Sequence, residues 1–148
     1  MSSLAVPPEN RSLIERLKHE ILQLPQIEPE THHHFAHGMY LRRVWSPAGT
    51  VIVGKVHKTE HFYAVLTGVV RVTAEDGVRE LNATRDGPQI LTCPVGTQRA
   101  VYVIEDAWRM NVHLNPENVT ELTELEAALV EDDPDGAYLP GNKLKAIP

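Results

Sequence analysis

His57 and His61 stand three residues apart between strand-forming runs, in the segment from Pro47 to Gly68. A neutral imidazole is a nitrogen ligand near physiological pH, so two of them on one face make half of a transition-metal site. If residues 58 to 60 form a hairpin loop, the two become cross-strand neighbours with Cβ atoms about 4.5–5.5 Å apart. Three imidazoles, or two with a carboxylate, hold Zn, Fe, Ni, Mn or Cu and leave positions open for water or substrate. His113 is the candidate third ligand. The runs Arg99–Ile104 and Ala107–Leu114, joined by Glu105-Asp106, read as a hairpin that sets His113 beside Arg99 or Ala100. Glu60 is a lesser candidate, either orienting an imidazole N–H from behind or displacing His61.

Other readings of the same residues stay open. The pair and the distant His113 are, as a lesser alternative, the composition of surface polar positions. His57-Lys-Thr-Glu60-His61 is also formally the His-x-x-Glu-His arrangement of a zinc peptidase, which requires a helix through both histidines. Val51, Ile52, Val53 and Val56 argue for strand instead. A second cluster, His32, His33, His34 and His37, reads as a polar segment linking a helix to a β-domain, with a subunit-bridging metal site as its alternative; His19 lies on the helix and faces solvent.

The elements that must position these groups follow from periodicity. Glu9 to Leu24 is an amphipathic helix, with Leu13, Ile14, Leu17, Ile21, Leu22 and Leu24 on one face, and Pro25 ends it. From Gly38 onward come short β-branched runs: Met39–Trp45, Thr50–His57, His61–Thr67, Val69–Ala74, Val78–Leu81, Gln89–Cys93, Arg99–Ile104 and Ala107–Leu114. Ser46-Pro-Ala-Gly49 and Asp76-Gly77 are turns, the second placing Glu75 opposite Val78 and Thr73 opposite Glu80. Asn118 to Glu131 is a short acidic helix, followed by an extended tail to Pro148. The division is residues 1–37, helix and His-containing linker; 38–116, β-barrel; and 117–148, acidic helical segment and tail.

Composition narrows the function. The 148 residues are 42% hydrophobic, enough for one domain with its own core. A formal charge of −6 disfavours nucleic acid, since phosphate binding draws on clustered Lys and Arg, and the densest pair, Arg42-Arg43, reads as a solvated strand edge. No apolar run is long enough to cross a bilayer and the start lacks a secretion-signal pattern, so a cytoplasmic protein is expected. Cys93 is the single cysteine, which excludes an internal disulfide and reads as a core thiol. No nucleophile elbow or phosphate-cradling Gly-rich loop occurs.

Residues 38–114 resemble the cupin superfamily of small jelly-roll barrels. Its first motif, Gly-x5-His-x-His-x3,4-Glu-x6-Gly, places its glycines on Gly49 and Gly68, its second His on His57 and its Glu slot on His61, while Lys55 stands in the first His slot. Its second motif, Gly-x5-Pro-x-Gly-x2-His-x3-Asn, falls on Pro94 and Gly96, with Arg99 in the His slot and Val103 in the Asn slot. The resemblance implies an all-β, double-stranded β-helix with an N-terminal helix, a divalent transition metal held inside it, and a homodimer. The chain is also similar to small cupin-like proteins encoded by tailed phages and prophages, a group that implies no particular reaction.

Strand alternation from His61 and His113 sends Tyr63, Asn111 and Arg109 to the same interior, joined by Arg99. A lining of Tyr63, Arg99 and Asn111 suits a small anionic ligand, a carboxylate or sugar acid. Metal-dependent dioxygenase, lyase or isomerase chemistry fits such a pocket. A non-catalytic binding or structural accessory module, phage-encoded or otherwise, fits it as well.

Overall fold

In the computed structural model, residues 8–74, 77–132 and 143–146 are described. Two long strands organise the fold: β4 (His61–Ala74) and β7 (Ala100–Leu114), preceded by β1 (Thr31–Ala36), β2 (Met39–Ser46) and β3 (Val51–Gly54), with β5 (Gly77–Asn82) and β6 (Gln89–Cys93) between them. β4 and β7 pair antiparallel along their lengths, from Phe62 opposite Val112 to Thr73 opposite Ala100. The far edge of β4 is covered by β6 and then β5. The far edge of β7 is covered by β2 and β3, with β1 beyond β2 and β8 (Lys143–Ala146) beyond β3. The result is an antiparallel jelly-roll barrel.

The sequence divides β4 and β7 into four short strands; the structure makes two. Gly68 is a bend rather than a break. It takes a φ of 85°, and a Cβ there would stand 2.2 Å from the Asp106 carbonyl oxygen. Only glycine lets the two strands cross this closely, and the register shifts between Val65 and Val70 absorb the bend. The expected Arg99–Leu114 hairpin is therefore absent: Glu105 and Asp106 lie within β7, and His113 pairs with Tyr40 of β2 instead of standing beside Arg99. An acidic pair without a glycine lacks the positive-φ residues that a tight hairpin turn uses.

Three further expectations change. The hairpin at residues 58–60 does not form, because β3 ends at Gly54 and pairs with β7 and β8, while His57 makes an isolated bridge to Val130. The His32–His34 segment is strand β1, not a linker. In the β4–β5 ribbon Thr73 faces Val78 and Arg71 faces Glu80, two residues from the predicted register; residues 75 and 76, and so the position of Glu75, lie outside the described residues. Of the tail, Lys143–Ala146 pairs with β3 of its own chain.

Inward positions grade along each long strand. At one end Val70, Val72, Val101, Val103 and Ala107 build an apolar core with Ile52 and Leu81. At the other end the buried residues are His61 and Tyr63 on β4, Arg109, Asn111 and His113 on β7, and Tyr40 and Arg42 on β2. Helix α1 (Pro8–Leu22) seats Ile14 and Ile21 on Val53 and Ala100, closing the side of β3. Helix α2 (Ala83–Asp86) is one turn capped by Asn82. Helix α3 (Leu122–Leu129) lays Leu125 and Leu129 on Tyr40 beside the polar end. No helix among the described residues is long and apolar enough to cross a membrane.

Candidate metal centre

The three histidines meet although none arrives by a hairpin. His61 opens β4 opposite Cys93. His57 is fixed by its backbone: its N–H donates to Thr97 O at 2.9 Å, and its carbonyl accepts from Gly96 N at 2.9 Å. Gly96, at φ 91°, turns the 94–97 loop back to make that contact. His113 comes from β7, stacked on Tyr40 with ring centroids 6.0 Å apart. Centroid separations are 4.0 Å for His57–His61, 5.1 Å for His61–His113 and 5.5 Å for His57–His113. Each ring is about 95% buried, and one ligand atom from each lies within 4.8 Å of the others. This is the one such cluster among the described residues.

The chemistry of the donor set fits a metal ion. His61 Nδ1 stands 3.0 Å from the Thr59 carbonyl, which only accepts, so Nδ1 carries the proton and the Nε2 lone pair faces the cluster, where it accepts from Arg99. Bonds of 2.0–2.1 Å in tetrahedral geometry set nitrogens about 3.4 Å apart. The ligand atoms lie within 4.8 Å of one another, so the rings would close in on an ion. Glu60 is exposed and outside the cluster, so it does not replace His61. Because His61 begins a strand, the helix that a His-x-x-Glu-His peptidase needs is absent.

Arg99 enters the same cluster from just before β7. Its Nη1 lies 3.0 Å from His61 Nε2 and its Nη2 3.5 Å from His57 Nε2. It also donates to Asn111 Oδ1 at 2.8 Å and to Cys93 Sγ at 3.3 Å, and lies over the Tyr63 ring at 4.3 Å. Three neighbouring groups thus hold a cation against two of the imidazoles. The other residue in a metal slot of the motif, Lys55, points elsewhere: its Nζ reaches Glu126 of α3 at 2.9 Å and ties that helix to the barrel.

A cavity of about 660 Å³ opens on His57 and His113. Asn111 lines it as expected, but Tyr63 is buried behind, and Arg99 lines a separate cavity of about 210 Å³ with Cys93 and Thr97. Arg109 is buried against Ser46 Oγ at 3.1 Å. The residues missed in the sequence are Tyr40, Arg42 and His33, all facing the large cavity. Alternation along Met39–Ser46 buries Tyr40, Arg42, Val44 and Ser46, so one member of the Arg42-Arg43 pair had to face inward. Burial pushes the Tyr40 hydroxyl up to about 12, with Arg42 pulling the other way. Burial and then Arg42 push His33 below its ordinary value. Arg42 is itself lowered, chiefly by burial, although a guanidinium stays charged.

The solved structures bear on the fold. A cupin superfamily protein from Desulfitobacterium hafniense superposes with a TM-score of 0.51 at 12% identity, over 61% of this chain and 80% of its own. The fold is cupin-like. A cupin-2 domain protein from Shewanella frigidimarina gives 0.48 at 11% identity, over 68% and 98% of the two chains. A conserved Streptococcus pyogenes protein of unknown function gives 0.48 at 15%, over 65% and 84%. No protein-family model matches the sequence, and no curated protein does. Within that fold, Gly49, Gly68 and Gly96, the motif glycines, all take positive φ, whereas the motif's first and last His slots hold Lys55 and Arg99.

Proposed function

We propose that this protein binds a divalent transition metal through His57, His61 and His113 and receives a small anionic ligand, a carboxylate or sugar acid, in the adjoining cavity. The observation that carries the reading is the convergence of three buried imidazoles, ligand atoms within 4.8 Å, two of them in the wall of a cavity of ordinary metabolite size. When bound, the metal supplies Lewis acidity or, if redox-active, oxygen chemistry. His57 and His113 present it to the cavity, His61 braces it from behind through Thr59, and Asn111 offers an amide beside it. Tyr63 supports the site through Arg99 rather than by touching a ligand. Any turnover is of the dioxygenase, lyase or isomerase kind, since nothing here supplies a covalent nucleophile with its base.

A second reading has its own observation. The Arg99 guanidinium, 3.0 Å from His61 Nε2, already donates to the lone pair that a metal would take and places a positive charge there. In that case the barrel is a non-catalytic binding module with an internal cation. Elemental analysis on untagged protein purified without a metal resin separates the two. The metal reading expects about one Zn, Fe, Ni or Mn per chain in wild type, little in His57→Ala, and full content when His32, His33 and His34 are all alanine. Metal-free wild type together with metal uptake by Arg99→Gln would establish the second reading instead.

A further inference from the structure

Three guanidinium groups are buried at the polar end of the barrel: Arg42 at 6% exposure, Arg99 at 5% and Arg109 at 3%. No carboxylate of a described residue lies within 4.0 Å of any of them. A guanidinium does not shed its proton, so burial leaves charge that must be met by other means. Arg99 has His61, Asn111, Cys93 and the Tyr63 ring, and Arg109 has Ser46. Arg42 has none of these. Its Nε and Nη2 are without a hydrogen-bond partner among the described residues, although the side chain lines the 660 Å³ cavity shared with His57, Asn111 and His113.

The same molecule shows what that edge of an arginine does. On the surface, Arg85 holds the Asp86 carboxylate through Nε at 2.8 Å and Nη2 at 2.7 Å, one nitrogen to each oxygen. The corresponding pair on Arg42 lacks its acceptors. We propose that Arg42 is the ligand-anchoring residue of the cavity, and that it takes a monocarboxylate bidentately through Nε and Nη2, supplying the counter-charge that the barrel interior lacks. Turning that edge into the cavity breaks no hydrogen bond of the side chain. A planar carboxylate matches the parallel N–H pair. Glu28, Glu30 and Glu126 also line the cavity and repel a polyanion, which favours a singly charged ligand over phosphate. The carboxylate bound at Arg42 then lies in the compartment that His57 and His113 face.

This inference rests on the reading that the cavity takes a small anion, and is independent of whether a metal is present. The test is calorimetric titration of the full chain, stripped of metal with a chelator and again loaded with zinc, using sodium lactate, pyruvate and gluconate, with inorganic phosphate and lactamide as contrasts. At least one carboxylate is expected to bind the metal-free protein with a millimolar or tighter Kd, phosphate and lactamide at least about tenfold more weakly. Arg42→Gln should weaken the carboxylate at least about tenfold, the scale of one lost charge-assisted pair, with zinc stoichiometry unchanged. If Arg42→Gln does not fold, Arg42→Lys, which keeps the charge but gives up the paired N–H edge, should also weaken it. Equal binding to wild type and a folded Arg42 variant overturns the assignment of Arg42 while leaving the anionic pocket. Tighter binding of phosphate than of every carboxylate overturns the monocarboxylate. Absence of any binding to wild type overturns both, even when zinc binds.

Discussion

Two groups of histidines in this chain behave in opposite ways. His57, His61 and His113 are scattered along the sequence yet share one buried point, whereas His32, His33 and His34 are consecutive and share nothing. The consecutive run is strand β1, and alternation throws neighbouring rings to opposite faces. Each then finds its own partner: His32 the Glu30 carboxylate at 2.6 Å, His33 the Tyr40 hydroxyl at 2.6 Å, His34 the Arg43 Nε at 3.1 Å. The scattered trio is gathered by β-topology, through a fixed loop at His57, the first residue of β4 and the inward parity of β7. Ligand density along a chain therefore says little about ligand density in space.

The strongest way to break this contrast is thermal. With free zinc at about 100 times its Kd, binding adds about 2.7 kcal/mol to the folded state, a rise in Tm of roughly 5–10 °C for a chain of this size. His113→Ala should lose that increment in thermal melts with and without zinc; an equal shift in the variant would place the metal elsewhere. A smaller effect distinguishes His33 from its neighbours. Its folded pKa lies below the ordinary 6.5, so its contribution to stability is present above pH 6.5 and is lost as pH falls below it, because the unfolded chain takes the proton more readily. Urea midpoints at pH 7.5 and 5.5 should therefore differ less in His33→Gln than in wild type, and an unchanged difference would show that His33 is not the group responsible. Smallest of all, His34→Ala should alter stability by no more than about 0.5 kcal/mol and leave zinc content untouched, as expected for an exposed side chain.

Much of the architecture is legible from pattern. The 3.6-residue repeat ending at Pro25 marks α1, the acidic segment Asn118–Glu131 contains α3, and β2 and β6 fall where their β-branched runs lie. The three ligand candidates are also legible, but His113 is reached for a different reason than sequence supplies. A hairpin with Arg99 would have placed it; in the structure the parity of one long strand does so, with Arg109, Asn111 and His113 all turned inward. What sequence conceals is long-range. Gly68 looks like a strand end until Asp106 is seen passing 2.2 Å from its missing Cβ. Strand β1 looks like a polar linker because its pairing partner supplies the reason to be extended. Arg42 looks solvated because only its neighbours on β7 and α3 bury it.

The most direct test of the three-histidine centre is anomalous diffraction from crystals of untagged protein grown with zinc. A single strong peak is expected about 2.0–2.1 Å from one ring nitrogen of each of His57, His61 and His113, with Arg99 still bonded to Asn111. A peak on His32, His33 or His34, or no peak near His113, would contradict it.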